Sequence, residues 1–143
     1  RNGGASSGEG SSREAEPNET ERVKSLRNSY FVPLERLQKQ NEFISAFFAK
    51  RATARALFGP EAETAFGLFH EGLHKTQISA QLLVQWSGEQ DFADPALMKR
   101  MQEDIWEPLG AHAGKNEIGQ KLDEGVELVE RFCRPVLAWV EGE

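Results

Sequence analysis

Three observations predict an all-α fold. Apolar residues recur at alternating spacings of three and four, helix caps precede those stretches, and no alternating strand of useful length occurs. The chain's 143 residues include nine Phe and three Trp, enough for one well-buried core and too few residues for two. The expected architecture is an antiparallel up-and-down four-helix bundle over 18–143, with a long first helix, preceded by a disordered tail over 1–17.

The tail carries Gly3, Gly4, Ser6, Ser7, Gly8, Gly10, Ser11 and Ser12 and no large apolar side chain, the composition of a flexible linker. Asn18, with Glu21 three residues on, reads as a capping box that opens the first helix. Val23, Leu26, Tyr30, Leu34, Leu37, Asn41, Ile44 and Phe48 then share one stripe, which predicts a helix running to about Phe58, roughly 50 Å at 1.5 Å per residue. Pro33 falls inside it and predicts a kink or a separate first piece. Asn41, within the stripe, is expected to be a buried polar residue fixing register.

Gly59-Pro60 marks the next boundary, a left-handed cap followed by a residue suited to the first helical turn. The second helix should reach Trp86, with Ala62, Phe66, Phe69, Leu73, Thr76, Ala80 and Leu83 on its main stripe. Leu68, Ile78, Leu82 and Trp86 gather on the opposite side. Such a helix either lies at the centre of the fold or turns its second face to a partner. Asp94-Pro95 opens a third helix with Leu97, Met98, Met101 and Ile105 on its face, ended by Pro108 and Gly110. Asn116 caps the fourth, whose stripe is Ile118, Leu122, Val129, Phe132, Val136 and Val140, with Pro135 expected to bend its last turns.

Charge narrows the function classes. The net charge of −6 argues against general nucleic-acid binding, which needs clustered Lys and Arg. Residues 20–57 nevertheless carry +5 while 58–94 carry −5, so the basic first helix is expected to pack beside acidic neighbours. Arg51 and Arg55 are expected to pair with Glu61, Glu63 or Glu71. The single cysteine, Cys133, excludes an internal disulfide and any multi-cysteine metal site, and its apolar neighbours make it a small core residue. No stretch is apolar over the roughly 20 residues that a transmembrane helix requires. The compartment is left open.

His70-Glu71-Gly72-Leu73-His74 reads H-E-x-x-H and resembles the signature of zinc metallopeptidases. The resemblance implies His70 and His74 as zinc ligands and Glu71 as general base, with His112 the one further histidine for a third position. It covers five residues, and the bland reading is a pair of boundary histidines. Bundles of the DinB-like family place a lone histidine before the pair, whereas here His112 follows it. A ferritin-like dinuclear site would need a second E-x-x-H, which the chain lacks. No phosphate-binding loop or nucleophile elbow occurs.

The expected function is accordingly a non-enzymatic interaction or scaffold module, with no cofactor, acting on a protein partner or a second copy. Phe43 and Phe47, which a continuous first helix turns away from the main stripe, are the contact candidates together with Leu68, Ile78, Leu82 and Trp86. In texture, Tyr30-Phe31-Val32-Pro33-Leu34 through Ala54-Arg55-Ala56-Leu57-Phe58-Gly59 resembles uncharacterised bacterial helical-bundle proteins, some with a membrane anchor before the bundle. That resemblance implies an upstream tether, with the Gly/Ser tail as its linker.

Overall fold

Several helix boundaries follow from local signals that the backbone satisfies. The computed structural model describes residues 8–88, 94–106 and 116–142, and within them all regular structure is helical. The helices are α1 (Glu21–Lys39), α2 (Asn41–Ala49), α3 (Arg51–Phe58), α4 (Pro60–Trp86), α5 (Pro95–Trp106) and α6 (Glu117–Glu141). Asp94 Oδ1 accepts from the Ala96 and Leu97 N–H groups, and Asn116 Oδ1 from those of Ile118 and Gly119, so both expected caps satisfy orphan donors. Gly59, at φ 81°, ends α3, and Pro60 starts α4 without needing its missing N–H.

The first helix starts differently. Thr20, not Asn18, is the N-cap of α1, its hydroxyl accepting from the Val23 N–H. Nor is there one long helix to Phe58. The Gln40 N–H reaches back to the Leu37 carbonyl at 3.1 Å and the Lys50 N–H to that of Phe47 at 3.1 Å, tight turns that separate α1, α2 and α3. Each tightening resets the helical register, and after the first of them Phe47 and Phe48 of α2 meet Phe66 of α4. Pro33 does not interrupt α1, in which it is buried, and α6 passes through Pro135. Asn41 is exposed and fixes no buried register.

Position along the chain makes α4 central: α1, α3, α5 and α6 all pack on it. The core joins Tyr30 of α1, Ala80 and Leu83 of α4, and Met101 and Ile105 of α5. Tyr30 keeps its hydroxyl satisfied by accepting from Gln102 Nε2 at 2.6 Å. Leu82 and Trp86, from the second face of α4, pack against this cluster and are partly buried within the fold. Along α6, contacts climb while those on α4 descend: Glu117 with Lys75, Lys121 with Glu71, Gly125 with Phe69, Arg131 with Glu61. Glycines set the closeness of that contact. A Cβ at Gly72 would stand 3.2 Å from Leu122, and one at Gly125 would stand 2.8 Å from the Phe69 ring.

Where the sequence suggests a loose tail, residues 8–20 lie against α1; residues 1–7 are outside the described set. The Gly10 N–H donates to Glu35 Oε2 at 2.6 Å and Ser12 Oγ to Glu35 Oε1 at 3.0 Å. These two donors hold the Glu35 carboxyl below its ordinary pKa, the Gly10 N–H most strongly. The Arg27 side chain is buried and donates to the Ser87 carbonyl at 2.8 Å and to Glu19 at 2.8 Å, joining this segment to the end of α4. Arg13 forks onto the same Glu19 carboxylate. Hydrogen bonding from Arg13, then from Arg27, holds Glu19 down to a pKa of about 2 against desolvation that opposes it.

Candidate interaction surface

The helix break at Gln40 decides how the α2 aromatics face. Phe47 stacks on Phe66 at a centroid distance of 4.7 Å and meets Phe69 edge-on at 5.7 Å. Phe48 lies edge-on to Phe47 and Phe66. Phe47 is therefore half-buried against α4 and does not point away, a correction that follows from the reset of helical register. Phe43 does point outward and is 70% exposed.

Phe43 forms the lip of a groove of about 400 Å³. Ile44, Phe47 and Phe48 of α2 make one bank, Phe69 and Leu73 of α4 the floor, and Leu122, Val126 and Val129 of α6 the other bank. Glu130 is its one ionisable lining residue. Phe43, Ile44, Leu73 and Leu122 also border a second hollow of about 410 Å³, which runs toward Leu37, Ile105 and Trp106. An apolar trough thus passes on both sides of Phe43. It exists because α2 and α6 both pack on α4 with α4 showing between them.

The H-E-x-x-H residues take up a different face. His70, Glu71 and His74 are all exposed, and the two imidazoles lie nearly parallel, 5.9 Å apart. Phe48 stands edge-on to His70 at 5.8 Å. Glu71 accepts from Lys121 Nζ at 2.6 Å, which raises the lysine's pKa. Gly72 is buried where α6 comes closest, so its place within the motif has a packing reason. Among the described residues no three His, Cys, Asp or Glu side chains come together to hold a metal ion, and His112 lies outside those residues.

No protein-family model, curated protein or solved structure matches this chain.

Of the remaining candidates, Ile78 is exposed and Leu68 half-buried, and neither lines the trough beside α2. Arg51 and Arg55 both reach Glu63, at 3.3 and 2.9 Å, the acidic pairing expected of the basic segment. A cleft of about 600 Å³ between α4, α5 and the start of α6 gathers Glu71, His74, Ile78 and Leu82 of the expected candidates, and sequence reading missed the Ser79 and Asp104 that join them there. There Ser79 Oγ donates to buried Asp104 at 2.9 Å, and Lys75 stands 3.8 Å from the same carboxylate. The available signal was local: both Ser79 and Asp104 directly precede residues of the apolar stripes, Ala80 and Ile105. Charges of both signs line the cleft, and its buried polar groups satisfy one another.

Proposed function

We propose that this chain is a non-enzymatic helical interaction module that binds a protein surface or a second copy of itself through the trough around Phe43. In this reading the helices form an up-and-down antiparallel bundle in which α1, α2 and α3 together make one long broken arm. The opposed residue order of the α4 and α6 contacts supports that arrangement. The observation that carries the function is an exposed phenylalanine at the lip of a groove lined by aromatic and aliphatic side chains. Large apolar anchors in such a setting supply most of the binding energy at protein interfaces. The acidic balance of the chain agrees with a protein partner and not with nucleic acid.

Sedimentation equilibrium, with nuclear magnetic resonance titration of an apolar helical peptide, tests the reading. The expected result is a mass that rises with concentration, or peptide-induced shifts at Phe43 and Val126, lost in Phe43→Glu. A monomer at all concentrations whose groove resonances ignore the peptide overturns it.

A second reading, a divalent-cation site on His70 and His74, is favoured by the parallel imidazoles one helical turn apart. Two histidines at this spacing suit zinc. The catalytic form of that reading gains no support from Glu71, whose carboxylate is engaged by Lys121. Thermal unfolding with and without zinc, on native protein and on His70→Ala/His74→Ala, decides it. A histidine-dependent rise in Tm supports the site, and an unchanged Tm removes it.

A further inference from the structure

Along α6, Leu122, Val126, Val129, Cys133, Val136 and Val140 follow one another at spacings of four, three, four, three and four. This is the a/d pattern of a helix meant to lie along another helix. The groove beside Phe43 borders the first half of the seam. Beneath the second half the supports run out. Arg131 faces Glu61 in the first turn of α4, and Phe132 stacks on Phe58 at the end of α3. Val136 and Val140 remain 47% and 60% exposed, beside Trp139 at 71%. Among the described residues, the seam therefore continues past the elements that cover its first half.

The flank of the seam is acidic. Asp123, Glu127 and Glu130 are exposed, and among the described residues Asp123 and Glu127 have no ion pair. Glu130 meets only Arg134, one turn along the same helix. Flanking charges beside an a/d seam choose its partner. A second copy brings the same three carboxylates and the cation Arg134, already paired with Glu130, whereas a helix with Lys or Arg beside its apolar stripe gains several pairs.

We infer that the seam Val126–Val140 is the docking site for a basic amphipathic helix of another protein, laid along α6 with one end in the groove at Phe43. The inference rests on the interaction reading above and names the chemistry of the partner. Apolar residues of the incoming helix at i, i+3, i+4 and i+7 meet the valines, as in helix-in-groove recognition. Its cations face Asp123, Glu127 and Glu130.

The test uses two labelled helical peptides that share a leucine stripe, one with Lys flanks and one with Glu flanks. Fluorescence anisotropy measures both against the full chain. The Lys peptide is expected to bind at least about tenfold more tightly at low salt, with a margin that shrinks as salt screens the pairing. The triple variant Asp123→Lys/Glu127→Lys/Glu130→Lys should invert the preference. Val136→Asp/Val140→Asp should weaken both peptides, with circular dichroism confirming an intact fold. Equal binding of the two peptides overturns the basic partner and leaves the interaction reading standing. Binding of neither peptide by a monomeric chain overturns both. A dimer that Val136→Asp/Val140→Asp dissociates gives the seam to a second copy and overturns the inference alone.

Discussion

Gly67 and Gly125 are both helical glycines, yet the same substitution should act on them in opposite directions. Nothing lies within 4 Å of a Cβ built at Gly67. Gly67→Ala should therefore stabilise by up to about 1 kcal/mol through helix propensity alone. At Gly125 the new methyl meets the Phe69 ring, which Phe47 confines from another side. Gly125→Ala should destabilise, with an overpacking cost of about 1–3 kcal/mol exceeding the propensity gain. Urea unfolding midpoints of the two variants check this, and a stabilised Gly125→Ala would show that α4 and α6 are not in close contact there. Glu19 makes a second prediction at this scale. Its carboxyl is held down from an ordinary 4.5 to about 2, so folding favours the ionised form. The contribution of its pairing with Arg13 and Arg27 is complete above the unfolded pKa and is lost as pH falls from about 4.5 toward 2. Glu19→Gln should flatten that part of the acid-unfolding profile.

Capping chemistry decides where α1 begins, and two alanine substitutions separate the alternatives. Thr20→Ala removes a hydroxyl that accepts from the Val23 N–H and should cost about 1 kcal/mol. Asn18→Ala removes no cap and should stay within about 0.5 kcal/mol of native. The reverse order in chemical denaturation would restore Asn18 as the start of the helix. Asn18 reads as the cap because Glu21 stands three residues on, but Thr20 with Val23 fits the simpler cap equally well. Local spacing leaves that choice open. The breaks at Gln40 and Lys50 carry even less local signal, since neither is Gly or Pro. They show only in the backbone, where the Gln40 and Lys50 N–H groups reach carbonyls three residues back.

Across the whole molecule, the core joins three helices through Leu83, which is 1% exposed. Leu83→Ala should cost about 2–5 kcal/mol, since α1 and α5 cannot both collapse onto the space it leaves. A loss below about 1 kcal/mol by thermal or urea unfolding would deny α4 its central place. Arg27 ties the chain's first described segment to its middle by donating to the Ser87 carbonyl and to Glu19. This bond spans 60 positions, and helical periodicity could not have revealed it.

Much of the molecule was legible in the order of its residues. Alternating three-and-four spacing determined that it is helical, and Gly59-Pro60, Asp94 and Asn116 marked boundaries that the backbone honours. Such signals act within one or two turns, over distances that sequence spacing measures directly. Phe43 was legible as an exposed residue for the same reason, being left over when its helix face was assigned. The facing of Phe47 was not, because it depends on the break at Gln40, which no Gly or Pro marks. Tertiary packing alone decided that Gly72 of the H-E-x-x-H stretch serves the approach of α6, that Glu71 pairs with Lys121, and that the α6 seam outruns its supports among the described residues. Each of these depends on which residues distant in sequence become neighbours, and that is fixed only when apolar faces on separate helices are buried together.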